Sequence, residues 1–383
     1  MERNSKKNNS GITLIALVIT IIVMLILVAV TITVAVNGGL FEKAGEAAKD
    51  TKSAINEEQQ LANGRIQING KIYESIDEYL AEQGGQNAEW DKNATDEKYF
   101  VWGSNDPKDG LYYRLLGINE EYVSELPENI VLPSRCMDIY HNAFYASTYY
   151  YDETIVNALT NIKSVKIPNT AVSIGATAFA NCTGLKTVEI PDSVLYIGIM
   201  AFNGCTNLEN IGTPQGIVYI GESAFSNEYS KGTTAWYSKQ ADGLIIIGKA
   251  VYAYKGSTEN VTVEIPEGIV HVTSKAFCVG GEFSENGFTS IILPNSLKSI
   301  GDYAFRNCAG LTSITITEGV TTIERETFKG CTGLTSVTIP SSVTEISSNA
   351  FSGISSSAIF NIVAGSYAED WAKNNGYNVQ YIQ

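Results

Sequence analysis

Short bursts of alternating apolar and polar residues recur along the chain, each stopped by a proline. Val188-Glu189-Ile190-Pro191 is one such burst. Alternation with period two predicts a strand with one buried face, and a proline, which has no N–H, ends it. Counted from the proline, position −3 is apolar in eight segments: Ile130, Val165, Val188, Ile211, Val263, Ile291, Ile314 and Val337. Position −1 is aliphatic in seven of them, Thr213 being the exception. Apolar residues return at +3 and +6, with glycine after +6 in four segments. A phenylalanine stands at +11 in all eight, from Phe144 to Phe351, and Thr317 replaces the proline in one.

Most neighbouring segments lie 23 residues apart. A fixed period of this size predicts a repeat solenoid, because one such unit cannot bury its own strand and its phenylalanine. Stacking predicts one continuous internal column of phenylalanines over residues 128–358. The consensus I-x-[IL]-P-x-x-V-x-x-I-G-x-x-A-F-x-x-C-x-x-L resembles the BspA-like leucine-rich repeat, and Val188 to Leu208 follows it almost throughout. The resemblance implies a curved solenoid with short parallel β-strands. It also implies a cell-surface role in adhesion or macromolecular binding, since members of that family are mostly bacterial and protozoan surface proteins.

The spacing is broken in three places. Pro133 to Pro168 is 35 residues, Pro214 to Pro266 is 52, and Pro266 to Pro294 is 28. The longest insertion, about 226–255, holds two apolar runs around Gly248-Lys249 and predicts a two-residue β-hairpin. Such insertions become loops on one face, either a binding surface or a tolerated excursion.

Beyond the repeats, the pattern changes at both ends. Residues 359–383 predict a C-terminal cap. Ser366-Tyr367-Ala368-Glu369 opens a helix, Gly376 closes it, Tyr377 to Ile382 alternate as a last strand, and Trp371 covers the final repeat. Residues 99–127 predict an N-terminal β cap with strands near Tyr99–Trp102 and Leu111–Leu116. Residues 37–98 read as a helical stalk and linker. Residues 12–36 carry no charge over 25 positions, about 37 Å as a helix, which is enough for a transmembrane helix. Arg3, Lys6 and Lys7 in the leader 1–11 place that leader in the cytoplasm and the repeats outside the cell. Gly11-Ile12-Thr13-Leu14-Ile15 behind a basic leader resembles the type IV prepilin signal. The resemblance implies cleavage between Gly11 and Ile12 by a prepilin peptidase. The glutamate usual at the fifth residue after the cut is replaced by Ala16, which removes a pairing group used in filaments. A plain single-pass anchor and a pilin-like subunit carrying the solenoid on a filament or secretion apparatus both remain open.

Composition narrows the partners. A net charge of −15 argues against nucleic acid, and residues 41–129 hold 19 Asp/Glu against 9 Lys/Arg. Cys182, Cys205, Cys308 and Cys331 share position +14 and read as buried free thiols, since a column spreads them along an axis where a metal needs convergence. The two histidines, His141 and His271, occupy unlike repeat positions, and no nucleophile, P-loop or metalloprotease motif appears. The chain therefore reads as a non-enzyme with no cofactor and no metal. Position +5 lies between two apolar positions and points outward. Its Tyr196, Tyr219 and His271, with Trp236 and Tyr237 from the insertion, form the expected recognition patch for proteins or glycans on host or neighbouring cells.

Overall fold

The computed structural model describes residues 66–68, 71–73, 94–103, 113–134, 136–147, 151–225, 234–280 and 284–383. The leader, Gly11, Ile12, the 12–36 segment and most of the stretch 37–98 lie outside the described residues. Among the described residues no helix is long and apolar enough to cross a membrane.

The expected strands form where the alternation placed them. Asn129–Val131, Ser164–Lys166 and Thr187–Glu189 run parallel, with Ile130, Val165 and Val188 in one register. Asn210 extends this ladder by a bridge to Thr187. Val261–Glu264 pairs with Phe288–Ile292, and Ser313–Thr315, Ser336–Ile339, Ile359–Val363 and Asn378–Ile382 form a further parallel run. All eight −3 residues are buried.

A second parallel ladder forms at positions +5 and +6, which the apolar pattern did not announce as strand. Cys136–Ile139, Ser173–Ile174, Tyr196–Ile197 and Tyr219–Ile220 pair in sequence, and His271–Val272 pairs with Ser299–Ile300. Thr322–Ile323 and Glu345–Ile346 pair likewise. These strands are mostly two residues long, so no alternation can develop within them.

After the second strand the chain turns through a left-handed residue at +9, as at Thr177 (φ 52°), Met200 (φ 54°) and Glu326 (φ 53°). That turn delivers Ala-Phe to the core. The Phe202 N–H then donates to the next unit's Ala224 carbonyl at 2.7 Å, and Phe179 does the same to Ala201 at 2.8 Å. Cysteine thiols add a third tie. Cys182 donates to Phe144 O and Cys205 to Phe179 O, each at 3.1 Å, and all six cysteines are free and buried. Burial pushes the Cys205 thiol up to about 12, which keeps it protonated as a small apolar donor.

The phenylalanine column is not continuous. Phe144, Phe179, Phe202 and Phe225 stack at 4.8, 5.2 and 5.1 Å, and Phe305, Phe328 and Phe351 at 5.4 and 5.1 Å. Between Phe225 and Phe277 the insertion supplies a rung without a phenylalanine. Its hairpin, Gly243–Ile247 and Ala250–Lys255, turns at Gly248-Lys249 as the sequence indicated. Ala250 and Val251 then align with His271 and Val272 of the next unit. Trp236 covers Phe225 at 5.2 Å, and the Tyr252 hydroxyl accepts the Phe225 N–H at 3.1 Å. On the other side Tyr254 lies over Phe277 at 6.1 Å. The core is therefore two clusters that meet at the hairpin.

Both expected caps form. Phe100–Gly103 pairs antiparallel with Tyr113–Ile118, which joins the second ladder, and Phe100 meets Phe144 edge-on at 6.3 Å. At the far end the Tyr367–Asn374 helix is capped by Ser366, and Asn378–Ile382 adds the last strand. Trp371 closes the column 5.5 Å from Phe351.

Candidate functional site

The outward faces of the two ladders differ. On the first, position −4 is Ser, Thr or Asn in all eight units, and neighbours bond along the ladder, as Ser164 Oγ does to Asn129 Oδ1 at 2.6 Å. On the second, position +4 is apolar in four successive units, Met137, Val172, Leu195 and Val218, is the exposed Lys249 in the inserted rung, and is apolar again at Val270. It then becomes Lys298, Thr321 and Thr344, all exposed. Met137, Leu195, Val218 and Val270 are half-buried, and Val172 is buried.

Position +5 runs beside this strip. Tyr196 and Tyr219 are half-buried and stack at 4.9 Å with their planes 4° apart. The His271 ring continues the stack 4.6 Å from Tyr219. Each tyrosine thus spends a ring face on its neighbour, and the ladder packs on itself as well as facing outward.

Three of the five expected patch residues are not surface residues. His271 is 3% exposed because Ala250, in the intervening rung, has no side chain to fill the space above Tyr219. The imidazole fills it instead. Its Nε2 lies 3.3 Å from the Ile220 carbonyl, which only accepts, so Nε2 carries the proton. Ser299 Oγ then donates to Nδ1 at 2.7 Å. Burial pushes His271 down to about 4, so the ring is neutral at physiological pH. Trp236 and Tyr237 are 9% and 7% exposed, since their short helix, Ala235–Ser238, turns them into the core to close the broken column. The structure therefore joins Tyr196, Tyr219 and His271 in one stack and removes Trp236 and Tyr237 from the face. The +4 strip was visible in the sequence as a column but was masked by its position next to outward residues.

One cluster of paired charges gathers around a ring on the later units. Arg325, Arg306 and Lys275 surround the Tyr303 ring at 4.8, 5.4 and 5.4 Å. Each is held by a carboxylate: Asp302 at 3.7 Å, Glu326 at 3.1 Å and Glu222 at 2.6 Å. His141 is exposed and lies against Tyr140 at 3.8 Å. Among the described residues no three His, Cys, Asp or Glu side chains converge as a metal would need.

The profile of the BspA type leucine rich repeat region matches residues 154–279 and 280–370, in six copies. No curated protein matches the sequence. Solved structures that resemble it include a leucine rich cell surface protein from Faecalibacterium prausnitzii. That protein is 20% identical, with 76% of this chain and 96% of that one covered at a TM-score of 0.32. The T. pallidum leucine rich repeat protein is 21% identical over 75% of this chain and 98% of its own, with a TM-score of 0.29. The pneumococcal vaccine antigen PcpA is 14% identical over 67% and 80%, with a TM-score of 0.25. These superposition scores are low, and the family match carries the assignment.

Proposed function

The chain belongs to the BspA-type leucine-rich repeat family, and on that premise we propose that it is a membrane-anchored cell-surface protein that binds macromolecules without catalysis. The observation that carries this reading is the apolar strip on the second ladder, from Met137 to Val218, with Tyr196 and Tyr219 beside it. Its partner is a protein or glycan on a host or neighbouring cell. The anchor is residues 12–36, with the repeats on the outer side. The motif at Gly11-Ile12 supports a second reading, a pilin-like or pseudopilin subunit matured by a prepilin peptidase. A mature N-terminus at Ile12, read by mass spectrometry, favours that version, and a retained Met1 favours the plain anchor.

The binding role is tested by screening the protein against glycan panels, matrix proteins and whole cells. The variants compared are Tyr196→Ala with Tyr219→Ala, and Thr322→Ala on the polar half of the same face. Loss of binding in the tyrosine pair alone is expected. Equal binding in all three proteins refutes the strip as the contact surface.

A further inference from the structure

The insertion repeats the design of the C-terminal cap. In the C-terminal cap, Ser366 caps a helix that lays Trp371 over Phe351 at 5.5 Å, and a closing strand follows. In the insertion, Thr234 caps a helix that lays Trp236 over Phe225 at 5.2 Å, and the Gly243–Ile247 strand follows. The first run of repeats thus ends in a cap of its own, and the hairpin, whose Ile245, Ile247, Ala250 and Tyr252 pack in the first core, passes the ladder on to the second run. Terminal caps are what a repeat array needs in order to end.

The bonds that cross this joint differ from those of a regular rung. In regular rungs the +6 carbonyl receives the next unit's +7 N–H. Gly198 N donates to Ile174 O and Gly221 N to Ile197 O, each at 2.8 Å. At the joint the equivalent carbonyl, Ile220, takes two side-chain donors from beyond the hairpin, His271 Nε2 and Thr273 Oγ1, each at 3.3 Å. The His271 ring also stacks on Tyr219 across Ala250. A titratable side chain thus bonds to the carbonyl that faces the inserted rung, beside a backbone bond from Lys249 N to Ile217 O at 2.7 Å.

We propose that the solenoid is two capped modules held together by a His271 latch, which acid releases. Protonation would place a second donor on Nδ1, facing Ser299 Oγ, and a charge in a closed apolar setting. The polar contacts of the ring are Ser299 and Ile220, and no carboxylate is among them. The titratable side chains on the packed elements are Tyr219, Tyr252 and Tyr254 on neighbouring strands, Lys249 in the hairpin turn, Lys298 before Ser299, and the Glu222–Lys275 pair. Lys249 and Lys298 are exposed. The joint follows Val218, the last residue of the unbroken apolar strip, so opening it separates that strip from the later units; the latch itself does not depend on the binding role.

The size of the effect follows from linkage. A histidine titrating at 6.5 when the joint is open and at about 4 when it is closed raises the opening constant about 30-fold between pH 7.5 and 5. Hydrogen exchange on the full chain, corrected for the intrinsic pH dependence, reads it directly. Amides of 219–221, 249–255 and 271–273 are expected to open about 30-fold more readily at pH 5, while 313–315 and 336–339 stay unchanged. His271→Gln keeps a donor for Ile220 and an acceptor for Ser299 but cannot titrate, so it is expected to lose the pH dependence. An equal acid effect in His271→Gln overturns the latch. Acceleration spread evenly over all rungs of the wild type overturns it too, and that result stands even if the variant does not fold.

Discussion

Replacing Gly198 by alanine tests how closely the rungs approach. Gly198 follows the +6 strand residue, and its N–H donates to Ile174 O in the preceding unit at 2.8 Å. A Cβ there would lie 2.4 Å from Ala176 N, 2.7 Å from Ala176 Cα and 2.7 Å from Gly175 C. All three are backbone atoms, so no side chain can rotate away. Restoring ordinary contact near 3.4 Å requires the two rungs to part by about 1 Å. That movement stretches the 2.8 Å bond beyond hydrogen-bonding range and loosens the Phe179–Phe202 stack, now 5.2 Å. One or two buried backbone bonds left unmet, plus the overpacking strain, come to about 3–5 kcal/mol. Gly212→Ala is the control. Its nearest neighbours are Ile190 backbone atoms at 3.6 and 3.7 Å, so only its left-handed backbone (φ 74°) resists, at about 1–2 kcal/mol. Urea denaturation followed by circular dichroism measures both variants. If Gly198→Ala costs no more than Gly212→Ala, rung-to-rung contact is not what requires glycine there.

Two further outcomes are expected. Tyr252→Phe keeps the ring against Phe225 but removes the acceptor of the buried Phe225 N–H, and is expected to cost about 1–3 kcal/mol in the same denaturation assay; a change below about 0.5 kcal/mol contradicts that role. Glu369 is held down at about 2, first by the Lys373 ammonium and then by the Tyr381 hydroxyl and the Gly365 N–H. A depressed carboxylate stabilises above its unfolded value of 4.5 and loses that contribution as the pH falls toward 2, so exchange in residues 367–382 is expected to accelerate across that window in the wild type and not in Glu369→Gln.

The first ladder, the hairpin turn and both caps could be read from the sequence because each is encoded locally. A strand needs its alternation and its stop, and a cap needs Ser366, Gly376 and an apolar run. What failed depends on the neighbouring rung. His271 occupies the same column as Tyr196, yet it is buried because the rung before it presents Ala250. Trp236 reads as an exposed aromatic on an insertion, yet it is needed where Phe225 has no successor. Glycine at +7 shows as a regularity in the sequence, and its reason appears only when Ala176 of the preceding unit is in place. The second ladder stayed hidden for a simpler reason, since two residues cannot show a period.

The +4 strip resists explanation by the fold alone. The core is filled by positions −3, −1, +3, +6 and +11, while of the apolar +4 residues only Val172 is fully buried. Lys298, Thr321 and Thr344 stand at +4 in units whose cores are as well packed as the rest, so stability does not demand an apolar residue there. Even so, four consecutive units place Met137, Val172, Leu195 and Val218 in that column, and Val270 returns only after Lys249 of the inserted rung. Met137, Leu195 and Val218 are half-buried, so each leaves part of an apolar side chain on the outward face, where a partner could cover it. The exposed Lys249, with Lys298, Thr321 and Thr344 farther along, gives the strip an end. A repeat unit copied without further selection would carry one residue type along the whole column. The division along this face is what the proposed binding role would require, with contact on the first four units and none beyond Lys249.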